Sequence, residues 1–259
     1  MQRPRPDFDH EAEYRRFLPK IERICRIGVA GKKIEVIGGD NLVRRGPNIM
    51  IGNHIGSYKD VATLFLTAVR PLFFNANAQI FTRSEFASLV RKHLKRHMGR
   101  AGLMLDFLLN PYKFLVVDFI TSNIARIGTI PVYLLSGKRE AVERCEDYMR
   151  RGRAVVSLQG RGRVDPRAPN PYIWPFGRGT AFVAYDLLER EGLHVPVTPL
   201  ALFGTQVPWP VPFTIRISVG APMFVRDFLG GGRDASVLRF KAALEDRVLA
   251  LFKDILRRR

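Results

Sequence analysis

The octet Asn53-His54-Ile55-Gly56-Ser57-Tyr58-Lys59-Asp60 decides the fold because of what stands on either side of it. Ahead of it, Ile49-Met50-Ile51-Gly52 is short, apolar and partly β-branched, and it follows the turn pair Gly46-Pro47, so it predicts a buried strand. Behind it, Val61 to Val69 contains neither Gly nor Pro and predicts a helix packed in a core. The octet is then a strand-to-helix corner, the place where α/β proteins keep their chemistry. A histidine on such a corner, with an aspartate nearby, suggests a general base whose tautomer a carboxylate holds while the other ring nitrogen takes a proton. Helix neighbours lie three or four positions apart, and His54 and Asp60 are farther apart than that. The chain between them must turn before the helix begins, and Gly56 would allow it. A competing local reading is a capping box, in which Ser57 accepts from a backbone N–H and Asp60 reaches back to another.

Asn53-His54 followed by Ser57 and Asp60 resembles the first block of the lysophosphatidic acid acyltransferase (PlsC-like) superfamily of glycerolipid acyltransferases. In that family the block is Asn-His-x4-Asp. Here one more residue intervenes, and Lys59 stands where the family spacing puts Asp. Further blocks follow in the family's order. Gly128 to Leu134 resembles the second, Gly-x-Ile-x-Val-x-Arg, with Leu134 in place of the Arg that contacts the acceptor phosphate and Lys138 or Arg139 available to substitute.

Ala154 to Arg163 is an apolar strand candidate that delivers a loop of Gly and Arg residues. Amides near Gly160 and Gly162 can approach an anion closely, and Arg161 or Arg163 can grip a phosphate with paired donors. The stretch resembles the family's third block, Pro-Glu-Gly-Thr-Arg-Ser, with Gln159 in place of Glu. Pro175 to Ala181 is similar to a Pro-Phe-Lys-x-Gly stretch, with Arg178 in place of Lys, and leads into a helix to about Arg190. Val195 to Ala201 looks like the fourth block, and its prolines predict an edge strand. Thr214 to Pro222 resembles the family's last strand and Gly-x-Pro turn.

The chain has 259 residues, enough for a large core, and a net charge of +18. Such a field favours polyanions, among them an anionic bilayer, acidic thioester carriers and nucleic acid. The basic residues are not interleaved with aromatics on one strand set, and no helix-turn-helix or zinc-finger spacing occurs, so nucleic acid is not the expected partner. The two cysteines, Cys25 and Cys145, are far apart and predict idle thiols in a reducing compartment. No signal peptide is expected at the N-terminus. The longest apolar stretch, Leu103 to Ile120, is interrupted by Asp106, Asn110, Pro111, Lys113 and Asp118, which argues for attachment to a membrane face over spanning it.

From His10 to about Val29, Tyr14, Phe17, Leu18, Ile21, Ile24 and Ile27 form a helical stripe ringed by Arg and Lys, a helix that packs on its own domain and could also lie on an anionic surface. Lys33 to Ile37 alternates as a strand, Gln79 to Phe81 is a short strand candidate, and Glu85 to Arg100 is a strongly basic helix that reads as a solvated face or a docking site for anionic headgroups. The apolar stretch after it reads as core or, with that helix, as an interfacial anchor or the lining of an acyl-chain tunnel. Together these predict residues 1–30 as a basic amphipathic N-terminal helix and 31–259 as an α/β domain, a central mixed β-sheet flanked by helices.

The resemblance implies transfer of a fatty acyl group from acyl-CoA or acyl carrier protein to the hydroxyl of a lysophospholipid such as 1-acyl-sn-glycerol 3-phosphate, giving phosphatidic acid. His54 and Asp60 would be catalytic. Asn53, Ser57, Gln159, Gly160, Arg161, Gly162, Arg163 and Arg178 would surround the substrate. Neither a metal nor a resident cofactor is implied, and the protein would sit peripherally on the cytoplasmic face of a membrane. The alternatives are an impaired, lipid-binding member of the same fold and an acyltransferase for another acceptor lipid.

Overall fold

The computed structural model describes residues 9–133, apart from 109, and 138–258. Along the chain these form α1 (His10–Gly28), β1 (Lys32–Ile37), β2 (Asn48–His54), α2 (Tyr58–Thr67), β3 (Leu72–Asn77), α3 (Arg83–Leu108), α4 (Asn110–Asn123) and β4 (Ile130–Val132). Then come α5 (Lys138–Arg150), β5 (Ala154–Gly160), α6 (Gly179–Glu191), β6 (Val197–Phe203), β7 (Phe213–Val219) and α7 (Gly232–Arg257). The seven strands follow the order β1-β7-β6-β2-β5-β3-β4. β1–β7, β2–β5, β2–β6 and β3–β4 pair in parallel and β6–β7 antiparallel, so the sheet is mixed and, as expected, belongs to an α/β fold.

The chain divides into two compact units, one of residues 18–73 and 142–259, the other of the residues up to Phe17 together with 74–141. The larger unit holds the core. Ile49 and Ile51 of β2, Leu200 and Leu202 of β6, and Ile215 and Ile217 of β7 are fully buried. On α7, Val237, Phe240, Leu244, Val248, Leu251 and Ile255 recur every three or four residues and are buried, the stripe a helix needs to pack on a sheet. Cys25 and Cys145 are buried free thiols, and burial pushes them up to about 11 and about 12, with Glu22 and Glu146 adding to the respective shifts.

Three expectations need correction. First, β6 is an interior strand between β7 and β2, with all seven residues buried. Proline is tolerated there because β6 pairs with β7 only from Leu200 onward, and the Pro199 carbonyl still accepts from Gly220 N at 2.8 Å. Second, Gln79–Phe81 belongs to a 3-10 turn, since the Asn77 side chain accepts from Gln79 N and stops the strand that began at Leu72. Third, the apolar stretch after the basic helix is not core, because Phe107, Tyr112 and Leu115 are largely exposed. Along the stripe of α1, Tyr14 and Phe17 are buried, whereas Ile24 and Ile27 are exposed. Leu134 and the Lys138 side chain, invoked for the second block, lie outside the described residues.

Where β2 and β6 meet, Gly52 pairs with Leu200 so closely that a Cβ on Gly52 would come within 2.4 Å of the Leu200 side chain and 2.6 Å of its carbonyl oxygen. The Gly52→Ala variant is therefore expected to lose about 1–3 kcal/mol of stability from overpacking, read from denaturant unfolding.

Candidate active site

The parallel strands β2, β5 and β6 end on one side of the sheet, and the candidate site lies at those carboxyl ends. An apolar pocket lined by Val36, Met50, Leu64, Ala154 and Val219 lies toward the other ends of β2 and β5. Pairing of β2 with β6 stops at Gly52–Leu200, while pairing with β5 continues to His54–Gly160. Asn53 fills the parting. Its side chain is buried and behaves like a peptide unit, accepting from Leu202 N at 2.8 Å and donating to the Leu202 carbonyl at 3.0 Å and the Tyr172 carbonyl at 3.3 Å. Asn53 thus supports the corner from behind, with its amide committed to the scaffold.

His54 is half-buried, with 24% of its side chain exposed, and its Nδ1 lies 2.7 Å from Asp60 Oδ2. The same oxygen accepts from Ile55 N at 2.9 Å and Gly56 N at 2.8 Å. Asp60 is fully buried and acts only as an acceptor, so the hydrogen-bond network assigns the proton to Nδ1 and leaves Nε2 with its lone pair. The corner therefore presents an oriented imidazole with a free basic nitrogen.

How the extra residue fits is visible in the backbone. Helix α2 starts at Tyr58, earlier than the sequence predicts, and Asp60 sits in its first turn. Lys59 N bonds to the Gly56 carbonyl at 3.1 Å and Asp60 N to the Ser57 carbonyl at 3.2 Å, closing tight turns. Ser57 takes the positive φ, at 55° with ψ −127°, the first central position of a type II′ turn where glycine is usual. Gly56 is required for another reason: a Cβ there would come within 2.3 Å of Thr205, just beyond the end of β6. The capping box is not formed, because the Ser57 side chain makes no cap bond and Asp60 is engaged with His54, Ile55 and Gly56.

Lys59 turns away from His54. It is buried, and its Nζ donates to the Val207 carbonyl at 2.5 Å, while Lys32 donates to the Pro208 carbonyl at 2.9 Å. Two lysines thus bind the loop that follows β6. Burial first, then repulsion from Lys32, pull the Lys59 ammonium from 10.5 down to about 8 against the attraction of Asp60.

The loop after β5 comes directly onto the imidazole. A Cβ on Gly162 would lie 3.1 Å from His54 Nε2 and 3.1 Å from Ser57 Cα, and the residue has φ 67°. Gly160, at φ 136°, would press a Cβ to 2.8 Å from the His54 carbonyl oxygen. Arg161 and Arg163 flank the glycine that touches the ring. The Arg161 guanidinium lies 4.4 Å from the centroid of the Trp174 ring, a cation–π contact, and neither Arg161, Arg163 nor Arg178 makes an ion pair among the described residues. Gln159 uses both ends of its amide: Oε1 accepts from Gly177 N at 3.0 Å and Nε2 donates to Ser157 Oγ at 2.9 Å. It secures the start of the segment carrying Arg178. A glutamate would keep the first bond and could not donate the second.

Thr205 and Trp174 were not singled out from sequence. Their signals are weak: Gly204-Thr205 follows a strand ending at the same sheet edge, and Trp174 is one of two tryptophans, set in a loop rich in arginine. Among the described residues no cluster of three or more His, Cys, Asp or Glu side chains is placed to hold a metal ion.

No protein-family model matches the chain, and no curated protein matches it by sequence. Among solved structures it is similar to the 1-acyl-sn-glycerophosphate (LPA) acyltransferase PlsC from Thermotoga maritima, with a TM-score of 0.52 and 15% identity, over 95% of this chain and 83% of that one. The chain shares the α/β fold of that protein. At this identity the likeness is one of architecture, and the chemistry has to be argued from the side chains above.

Two outcomes follow from the corner's geometry. Ser57→Gly should raise stability by about 1 kcal/mol through relief of backbone strain, read as a higher denaturation midpoint. For Lys59, the fold binds fewer protons than the unfolded chain between about 8 and 10.5, so this group's contribution to stability rises with pH through that window. Its penalty is complete below about 8. Lys59→Met should accordingly gain stability relative to the parent at neutral pH, with the difference shrinking as unfolding is measured at successively higher pH up to 10.5.

Proposed function

We propose that the protein is an acyltransferase that moves a fatty acyl group from an acyl-CoA or acyl carrier protein thioester to the hydroxyl of a lysophospholipid, foremost 1-acyl-sn-glycerol 3-phosphate, yielding phosphatidic acid. The observation that carries the reading is the His54 Nδ1–Asp60 Oδ2 contact of 2.7 Å, which leaves Nε2 free against Gly162 in an arginine-bearing loop. In this reading His54 Nε2 takes the proton of the acceptor hydroxyl, and the resulting alkoxide oxygen attacks the thioester carbonyl. The C–S bond then breaks, and the departing sulfur recovers the proton from His54 as a thiol. Asp60 keeps the imidazole oriented throughout and stabilises its protonated form. Arg161, Arg163 and Arg178 hold the acceptor phosphate, and the amides about Gly160 and Gly162 can approach it because those two positions carry no side chain. Ser57 lies beside Gly162 at the mouth of the site. The acyl donor is a co-substrate, so the reaction draws on no resident cofactor.

The reading extends to a peripheral position on the cytoplasmic face of a membrane, which a charge of +18 supports. The test is thiol release from a long-chain acyl-CoA, and in parallel from acyl carrier protein, with a panel of lyso-acceptors and product mass measured. Release should depend on the acceptor and fall by about 10²–10⁴-fold in His54→Ala. Lysophospholipid binding without thiol release would instead establish the impaired lipid-binding reading, and release unaffected by His54→Ala would remove His54 from the chemistry.

A further inference from the structure

The smaller unit carries a run of exposed large apolar side chains. Read as sequence, the apolar run from Leu103 to Ile120 is spoiled by its charges. In the fold those charges are matched with one another. Asp106 is buried, Lys113 Nζ donates to its Oδ1 at 2.8 Å, and Arg91 Nε lies 4.0 Å from its Oδ2. Asp118 pairs with Arg83 at 3.2 Å. Arg83 and Lys113 also lie over the Phe114 ring, at 5.4 and 5.6 Å.

What faces outward is apolar. Met104, Phe107, Leu108, Tyr112 and Leu115 are 64%, 80%, 61%, 69% and 70% exposed, and Val116 is exposed beside them. Large apolar side chains grouped this way on a surface mark an interaction site. Helix α3 kinks at Gly99, which has φ 56° and ψ −129°, so Arg100 shares a segment with residues 104–108 while Lys92 and Lys95 precede the kink. All three are exposed and make no ion pair among the described residues. From Arg83 to Asn123 the sequence holds seven Lys and Arg against three acidic residues. Such a face repels a second copy of itself and is attracted to an anionic surface. No described helix is long and apolar enough to cross a membrane, which leaves shallow entry as the mode open to this pair.

We propose that the 104–116 end of the α3–α4 pair is the element by which the protein enters an anionic bilayer. Phe107, Leu108, Tyr112 and Leu115 bury at the boundary between headgroups and acyl chains, and Lys92, Lys95 and Arg100 meet the headgroup phosphates. The internal Asp106–Lys113 pair makes this possible, because it removes from the outer face the two charges whose entry into lipid would be most costly. The inference deepens the reading of the chain as a membrane-associated lipid enzyme, and takes from it only the nature of the surface.

The test uses the full chain with vesicles of phosphatidylcholine, with and without phosphatidylglycerol. Phe107→Ser combined with Leu115→Ser should weaken partitioning by about tenfold or more, since each side chain buries apolar area on entry. Lys95→Glu combined with Arg100→Glu should weaken it only on the phosphatidylglycerol vesicles, with the deficit fading at high salt. Thiol release with a water-dispersed short-chain lysophospholipid should be unchanged in both. Undiminished partitioning of the serine variant overturns the proposal, as does a parent dimer that this variant converts to monomer. So does loss of thiol release at unchanged partitioning, which would assign these residues to acyl-chain binding. Normal vesicle results with no thiol release in the parent would leave the membrane element standing and remove the enzymatic reading.

Discussion

One carboxylate oxygen holds the site together. Asp60 Oδ2 collects His54 Nδ1, Ile55 N and Gly56 N within 2.9 Å, so a single atom joins the last residue of β2, the corner and the first turn of α2. Hydrogen bonds to a charged group contribute about 1.5–3 kcal/mol each. Their sum exceeds the roughly 1–3 kcal/mol of strain that Ser57 stores at its positive φ, and it also offsets part of the cost of burying the carboxylate. The position in the first turn of a helix helps further, since the backbone amides there favour negative charge. Without Asp60 the two corner amides would lose their acceptor, and the path that brings Ser57 under Gly162 would lose the tie that joins it to His54.

The second constraint is the parting of β2 from β6. By ending that ladder at Gly52 while keeping β5 paired to His54, the sheet opens on one side of the histidine and closes on the other. The Asn53 amide makes the opening affordable by standing in for the missing peptide partners of Leu202. On the closed side, the His54–Gly160 register sets the glycine loop directly above the ring. The same pairing therefore decides where the base points and which residues surround its free nitrogen.

Much of the architecture was legible in the sequence. The alternation of strands and helices, the corner at His54 and the loop after β5 all came from apolar runs bounded by glycines and prolines. What was not legible depended on neighbours distant in sequence. Pro199 reads as an edge signal because the rule concerns its missing N–H, but whether a ladder needs that N–H depends on where β7 begins to pair. Gly56 reads as the flexible residue of the turn, yet the strain fell on Ser57 because Thr205, about 150 positions away, occupies the space beside residue 56. Similarly, spacing alone leaves open whether position 59 or position 60 faces His54. Only the turn decides that the aspartate faces His54 and the lysine faces the Val207 carbonyl.

Net charge says less than its distribution. Many basic side chains are matched: Arg150 with Glu191 and Glu146, Arg190 and Arg233 with Asp186, Arg216 with Glu35. Among the described residues those of the loop beside His54 are not, and Arg161 rests on an indole face. An exposed cation–π contact is worth about 0.5–1 kcal/mol, against about 1.5–3 kcal/mol for a hydrogen bond to a charged group. Trp174 can therefore hold Arg161 ready without competing against an anion that arrives at the loop. A carboxylate in place of that ring would neutralise the guanidinium and compete with such an anion, whereas the aromatic partner leaves the charge of Arg161 open, as the phosphate-binding role proposed for this loop requires.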